Sequence, residues 1–186
     1  MRLIFIGPDC GGKSTLAEMV GARMDVDVHA HRKINDEEMR VTVAEDALVQ
    51  VRSHHATWIR DQYYYPVDIL YQGAINLQNS ILNPMEQSLA HAYRLAGVIF
   101  VYVTASPSVI AERFRQRGDE LWNLEQIQKV ADAYESWYMY ARHNHHLVRI
   151  DSSNISREEV LSRAWEEIIT LNERIEEEKR HVGIRP

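Results

Sequence analysis

The segment Gly7-Pro8-Asp9-Cys10-Gly11-Gly12-Lys13-Ser14 decides the fold of this chain. It fits the pattern G-x-x-x-x-G-K-[ST] in full, and its surroundings match the structure in which that pattern binds phosphate. An apolar run at residues 3–6 precedes it and is typical of a strand, and residues 14–24 follow with helical character. The segment therefore predicts a phosphate-binding loop between a strand and a helix.

Such a loop binds phosphate through its backbone and through two side chains. Its glycines let backbone N–H groups approach phosphate oxygens, and the following helix presents the positive end of its dipole. Lys13 is expected to neutralise charge on the β- and γ-phosphates, and Ser14 is expected to bind Mg²⁺. The predicted residues of the ATP-phosphate site are Gly7, Cys10, Gly11, Gly12, Lys13, Ser14 and Thr15.

Five short apolar runs indicate the architecture. They lie at residues 3–6, 26–30, 57–61, 98–104 and 147–150, each separated from the next by a stretch with helical character. Strands that alternate with helices form a parallel sheet, and the nearly continuous apolar character of the first, third and fourth runs predicts that these are central. We expect an α/β, three-layer P-loop NTPase fold in which helices flank a five-stranded parallel sheet.

Helix boundaries follow from capping residues and prolines. Starts are predicted at Asp36, at Pro66, at Ser106 with Pro107 behind it, and after Ser156. Pro84 should end or kink the helical stretch that begins at Pro66. Residues 173–186 are mostly charged and predict a solvated helix end that frays. The 186 residues are consistent with one domain, 1–186.

Composition limits the function classes. The net charge of -6 argues against a nucleic-acid surface, which requires a surplus of Lys and Arg. The single cysteine, Cys10, offers no internal disulfide, so a cytoplasmic location is the default. The apolar run at the N-terminus is far too short to span a bilayer, and no association with a membrane is expected.

Further blocks give the chain a resemblance to thymidylate kinases. The acid at the third position of the loop, Asp9, is typical of that family and of the related deoxynucleoside kinases. The remaining blocks occur in family order: Trp58-Ile59-Arg60-Asp61-Gln62-Tyr63, Tyr71-Gln72-Gly73, Ala111-Glu112-Arg113-Phe114-Arg115-Gln116-Arg117-Gly118, and Val148-Arg149-Ile150-Asp151-Ser152-Ser153. The resemblance implies an ATP-dependent deoxynucleoside monophosphate kinase with dTMP or a related pyrimidine as acceptor, and a short LID at about residues 115–125.

The resemblance also implies roles for individual residues. Arg113 and Arg117, ahead of Arg115, would act on the transferring phosphoryl group, and Asp61 would orient the acceptor phosphate or a Mg²⁺-bound water. The predicted catalytic residues are Lys13, Arg113, Arg117 and Asp61. Asp151 and Ser152 lie where the family's loop passes the adenine. The predicted acceptor-binding residues are Asp9, Arg32, Arg40, Gln62, Tyr71 and Gln72.

At one position near the predicted acceptor site, the sequence departs from the family pattern. Gln62 stands where the family has an arginine, which removes a positive charge beside Asp61 and predicts a weaker grip on the acceptor phosphate unless Arg60 or Arg32 compensates. A deoxynucleoside kinase is the alternative, but it needs a carboxylate base near the end of the second strand, where the sequence reads His29-Ala30-His31-Arg32. A P-loop protein that binds nucleotide without transfer is the third possibility.

Three further features stay open at this stage. Base selectivity depends on pocket shape, so dTMP, dUMP, a modified pyrimidine and dGMP all remain possible acceptors. The apolar stretch at residues 69–89 could pair two copies in a homodimer or belong to the core. His143, His145 and His146 invite a metal-binding interpretation, although no Cys or carboxylate with ligand spacing accompanies them.

Overall fold

A five-stranded parallel sheet forms the centre of the protein. The computed structural model describes residues 1–30, 34–52, 57–118 and 123–181. The strands are β1 (Arg2–Ile6), β2 (Val28–Ala30), β3 (Trp58–Asp61), β4 (Val98–Thr104) and β5 (His146–Asp151). Their order is β2-β3-β1-β4-β5, and every neighbouring pair is parallel. The three strands that the sequence predicts to be central are therefore confirmed as β3, β1 and β4.

Side-chain alternation divides the sheet into two buried faces. On one face Leu3 and Phe5 of β1 join a cluster with Leu16 and Ile168, which lie on two of the helices that cover this face. On the other face Ile4 and Ile6 join the larger cluster, which includes residues of the four helices that cover it. Because both faces of β1 and β4 are covered, these strands are apolar at almost every position. The predicted three-layer α/β fold is confirmed.

Seven α-helices surround the sheet within the described residues. They are α1 (Lys13–Met24), α2 (Asp36–Arg52), α3 (Tyr64–Tyr71), α4 (Glu86–Leu95), α5 (Pro107–Arg117), α6 (Leu124–Asn144) and α7 (Arg157–His181). The predicted caps are present at two starts: the Ser106 hydroxyl accepts from the backbone N–H of Val109, and the Ser156 hydroxyl accepts from that of Glu159. These bonds satisfy helix N–H groups that have no partner inside the helix.

The stretch between α3 and α4 differs from its prediction. Helical structure continues past α3 as a π-helix, Gln72–Asn76, and ends at Leu77, whose φ of 52° is left-handed. Pro84 is not the breaking point, because it lies in the short 3₁₀-helix Asn83–Met85 that leads into α4. Proline fits the first turn of a helix, where its missing N–H costs nothing. Leu70, Leu82 and Leu89 of this stretch are core residues, while Leu77 is 87% exposed.

The C-terminal helix extends farther, and packs more closely on the core, than its high content of charged residues predicts. α7 continues to His181, and the side chain of Ile175 is only 3% exposed because it packs into the cluster that contains β1 and α1. The charged residues around it remain largely exposed. In the described part of the chain, no helix combines the length and the apolar character needed to cross a membrane.

Candidate active site

The phosphate loop runs from the end of β1 into α1 and depends on glycine at two positions. A Cβ at Gly7 would lie 2.0 Å from the carbonyl oxygen of Val103, so only glycine fits there. Gly12 has a φ of 94° and is the N-cap of α1, where no side chain accepts a hydrogen bond from the helix. The first N–H groups of α1 are therefore available to an anion.

Lys13 and Asp9 form an ion pair inside the loop. Lys13 is 6% exposed, and its Nζ lies 3.1 Å from Oδ1 of Asp9 and 3.4 Å from the carbonyl oxygen of Pro8. The other oxygen of Asp9 accepts a 2.9 Å hydrogen bond from the Tyr71 hydroxyl of α3. Burial alone would raise the pKa of Asp9, but the Lys13 charge and the bonds from Lys13 and Tyr71 outweigh it, so the pKa lies below its usual value.

A cleft of about 770 Å³ opens beside the loop and α1. Ser14 and Thr15 line it and are exposed, as expected for side chains that face a ligand. Its cationic lining residues are Lys13, Arg113, Arg117 and Arg157. Among the described residues, no Asp or Glu lines this cleft. The arrangement suits a polyanion with several charges.

Arg113, predicted to be catalytic, holds protein groups together. Its guanidinium donates to the Ser152 hydroxyl at 2.9 Å, to the Ser152 carbonyl at 2.9 Å and to the Cys10 carbonyl at 3.3 Å. Ser152 is itself buried and donates to the Gly11 carbonyl at 2.9 Å. Arg113 and Ser152 thus fix the phosphate loop to the segment after β5. Asp151, predicted with Ser152 beside the adenine, is exposed and accepts from the backbone N–H of Ser153.

Arg117 is exposed at the end of α5. Burial raises the pKa of the Cys10 thiol, while the charge and hydrogen bonding of Arg117 oppose that rise. The same charge lowers the pKa of Asp9, after the larger influences of burial, Lys13 and Tyr71. The guanidinium therefore lies next to the phosphate loop without the carbonyl contacts that occupy Arg113. Part of the predicted LID, residues 119–122, lies outside the described residues.

Asp61 occupies the tip of β3, opposite Phe5 of β1 and Ala30 of β2. Strand alternation gives Asp61 the same face as Ile59, which packs with the helix that carries Ser14. Its Oδ1 atom is buried and has no hydrogen-bond partner among the described residues. A buried carboxylate oxygen without a partner is costly, and the interior of a ligand site is where such an oxygen finds one.

The other residues predicted near the acceptor differ in their surroundings. Arg60 does not face an acceptor, because its Nη1 and Nη2 atoms donate to the Asp46 carboxylate at 2.8 and 2.7 Å. Gln62 follows Asp61 with a φ of 58° and donates its backbone N–H to Phe5. Arg40 is exposed on α2, and Arg32 lies outside the described residues.

Gln72 is also turned along its own helix. Its amide nitrogen donates to Asp68 at 3.4 Å, and its amide oxygen accepts from Asn76 at 2.7 Å. Of the acceptor residues that the resemblance implies, the structure joins Asp9 to Tyr71 directly, while Gln72 is engaged within α3 and the π-helix.

Sequence reasoning overlooked two polar residues that line the cleft, Gln116 and Arg157. Gln116 belongs to the helix that carries Arg113, and Arg157 is the first residue of α7. A basic residue at the start of a helix opposes the helix dipole, and this was the available signal for Arg157.

The histidines after α6 are used by the core. His145 is 3% exposed; its Nε2 accepts from the Tyr65 hydroxyl at 2.8 Å, and its Nδ1 lies 3.3 Å from the Ala141 carbonyl. His146 is buried and bonds to the Arg94 carbonyl. Within the described ranges, no group of three or more His, Cys, Asp or Glu side chains is arranged to hold a metal ion.

Comparisons with known proteins identify the fold. No family model matches the chain, and no curated protein matches it. Among solved structures, the chain is similar to the YorR protein of Bacillus subtilis in complex with phosphorylated GDP, at 22% identity and a TM-score of 0.66, over 93% of this chain and 96% of that one.

Two further solved structures share the fold. The deoxyadenosine kinase of M. mycoides with bound dCTP has 13% identity and a TM-score of 0.61, over 91% of this chain and 100% of that one. A gluconokinase of Sinorhizobium meliloti has 16% identity and a TM-score of 0.61, over 95% of this chain and 96% of that one. The chain therefore has the P-loop kinase fold.

Proposed function

We propose that the chain is an ATP-dependent kinase that transfers the γ-phosphoryl group to a deoxynucleoside monophosphate, with dTMP or a related pyrimidine as the leading acceptor. The observation that carries this proposal is the cleft beside the phosphate loop, with its open helix N-terminus and four cations. The resemblance to thymidylate kinases supplies the acceptor class, and the contact between Asp9 and Tyr71 supports it.

The donor phosphates would lie across the start of α1. Backbone N–H groups of Gly12 to Thr15 and the ammonium of Lys13 would hold the β- and γ-phosphates. Arg117 would neutralise charge on the transferring group, because Arg113 already serves the carbonyl groups of Cys10 and Ser152. Arg113 acts in this scheme as a positioning residue that keeps the loop in its phosphate-binding shape.

Mg²⁺ fits the oxygen groups at this site. The exposed Ser14 hydroxyl would bind it together with donor phosphates, and the unpaired oxygen of Asp61 would accept from a water on the ion. Bound there, Mg²⁺ supplies neutralisation of phosphate charge.

The transfer itself needs no general base when the acceptor is a monophosphate. An ionised oxygen of the acceptor phosphate attacks the γ-phosphorus, the bond from that phosphorus to the β-phosphate oxygen breaks, and ADP leaves. Catalysis then depends on positioning and charge neutralisation, for which this chain supplies Lys13 and Arg117. Asp9 would receive the acceptor sugar hydroxyl, with Tyr71 packed beside it.

A second candidate is a kinase that acts on the 5′-hydroxyl of a deoxynucleoside. The observation that favours it is the scarcity of free positive charge among the described residues at the tip of β3, where Gln62 is neutral and Arg60 is paired with Asp46. A hydroxyl acceptor must lose a proton, and the buried oxygen of Asp61 is the described group that would take it.

A coupled assay for ADP separates these functions. Purified protein with ATP and Mg²⁺ is tested against dTMP, dUMP, dCMP, dGMP, dAMP and thymidine, with a reaction lacking acceptor as the blank. ADP release that requires a monophosphate, fastest with a pyrimidine, is the expected result. Release with thymidine alone supports the second candidate. If none of these acceptors gives ADP release above the blank, both candidates are refuted, and the chain is a nucleotide-binding protein without transferase activity.

A further inference from the structure

A second cavity, of about 680 Å³, lies where α3 and the π-helix pack against α6. We call it the α3–α6 groove, and its walls are mainly apolar, with Leu70, Ala74, Leu77 and Ala133 among them. None of the described residues that line it also lines the cleft beside the phosphate loop. A cavity of this volume is in the usual range for small-molecule sites.

The wall formed by the π-helix leaves apolar surface exposed. Leu77 ends this helix with a φ of 52°, in a left-handed conformation that leucine disfavours, and its side chain is strongly exposed. Short π-helices and strained backbone occur frequently at functional sites. On α6, the ring of Tyr140 is also exposed, and Trp137 lines the groove. The groove therefore offers apolar and aromatic surface to a ligand.

The charged residues that line the groove are Glu86, Asp132 and Lys129. Lys129 is already paired with Glu125, at 2.8 Å. Asp132 accepts a hydrogen bond from the neutral amide of Gln128. In the part of the chain that the structure describes, neither Glu86 nor Asp132 has a cationic partner, and the Glu86 side chain makes no hydrogen bond. The groove thus has negative charge that the described residues do not neutralise.

Glu86 is the carboxylate for which this matters most. It is half-buried, and burial raises the pKa of its carboxyl group. Its position in the first turn of α4 is favourable for a negative charge, but the helix dipole is its only compensation among the described groups. Aromatic rings attract cations as well. A half-buried carboxylate beside apolar and aromatic surface is complementary in charge to a cation with an apolar body.

We propose that the α3–α6 groove binds a small organic cation, an ammonium group on an apolar chain. The ammonium group pairs with Glu86, and the apolar chain covers Ala74 and Leu77. This inference does not rest on the proposed function, because none of these residues takes part in the proposed transfer.

Titration calorimetry on the full chain, without nucleotide, tests the charge preference. The probes are hexylammonium, hexanoate and hexanol, which share one chain length. Hexylammonium is expected to bind about tenfold more tightly than hexanoate, because the groove repels a second anion. Glu86→Gln should weaken hexylammonium about fivefold and leave hexanol unchanged. The matched control is Glu158→Gln, which changes a carboxylate in the first turn of α7 and should alter neither probe.

Gly73→Phe tests the place of binding. Gly73 lines the groove, and a Cβ added there meets nothing within 4 Å, so the new ring fills the groove without displacing the core. Binding of hexylammonium and of hexanol should weaken about tenfold, with an unchanged circular dichroism spectrum. The inference is overturned if hexylammonium does not bind, if hexanoate binds as tightly, or if Gly73→Phe has no effect. A dimer in sedimentation that Leu77→Glu disrupts would also overturn it, since a second copy would then cover the groove.

Discussion

The proposed donor side and the proposed acceptor side of this molecule are built in different ways. The donor side relies mainly on backbone, that of the glycine-rich loop and the N-terminus of α1, beside cations that line an open cleft. The acceptor side relies on side chains from distant parts of the chain, such as Tyr71 with Asp9 and Arg60 with Asp46. A local sequence pattern therefore reports the donor side faithfully, whereas the acceptor side depends on which side chains the fold brings together.

Asp9 contacts residues of both proposed sides. One of its oxygens holds the lysine of the donor site, and the other holds the tyrosine of α3. Because a donor phosphate would also attract Lys13, we expect donor binding to change the hydrogen bonding of Asp9, the group proposed to receive the acceptor sugar. The boundary between the two sides thus lies inside the phosphate loop.

The largest expected effect is on the donor side. Lys13→Ala removes the cation that neutralises the transferring phosphate, so we expect kcat to fall about a thousandfold with every acceptor. The coupled ADP assay measures this, and circular dichroism checks that the variant is folded. Activity within tenfold of the unmodified protein would contradict the assignment of the phosphate loop.

The next effect is on stability at the acceptor side. Asp46→Ala leaves the largely buried Arg60 without its carboxylate and also removes an acceptor of the Tyr93 hydroxyl. We expect the free energy of unfolding to fall by about 3 kcal/mol in urea titrations, since a buried charge without a partner is costly.

The exposed pair Arg149–Glu135 is the matched control for that variant. Glu135→Ala should lower the free energy of unfolding by less than about 1 kcal/mol, because solvent screens exposed charges. Equal losses in the two variants would show that the Arg60–Asp46 pair does not anchor the acceptor side.

Acidification should destabilise the fold through His145, a buried core residue. Burial lowers the pKa of His145 to about 4, with smaller contributions from Arg94 and His146, although its bond to Ala141 opposes the shift. The unfolded chain binds a proton on this histidine near pH 6.5, and the folded chain does so only near pH 4. The stabilisation is therefore complete above pH 6.5 and is lost as the pH falls towards 4.

Urea unfolding at pH 7 and pH 5 measures that loss. We expect His145 to account for about 1 to 2 kcal/mol of the decrease in the free energy of unfolding. In His145→Gln the decrease should be smaller by that amount, and in the control His143→Gln, which changes a histidine on the last turn of α6, it should be unchanged. A His145→Gln protein with the original pH dependence would exclude the histidine as the cause.

Sequence reasoning predicts the sheet and the phosphate loop well because each depends on short-range patterns. The five strands follow from apolar runs, and the loop follows from glycine spacing and the helix behind it. Arg113 shows what such patterns do not predict. The sequence places it on a helix correctly, but its three hydrogen bonds are made to Cys10 and Ser152, which are far away in sequence. The break before Pro84 was missed because Leu77 ends the π-helix in a left-handed conformation that its residue type disfavours.

The smallest expected effect is on acceptor binding, and it tests the difference between the donor side and the acceptor side most directly. Gln62→Arg restores a positive charge beside Asp61, where the described residues offer Arg60 only as the partner of Asp46. If the acceptor is a monophosphate, its KM should fall about three- to tenfold, because a charge-assisted hydrogen bond is added, while the KM for ATP stays unchanged. Gln87→Arg on the exposed face of α4 controls for net charge. An unchanged KM for the monophosphate, with a lower rate on thymidine, would instead favour a hydroxyl acceptor served by Asp61, since a cation beside that carboxylate makes it a weaker base.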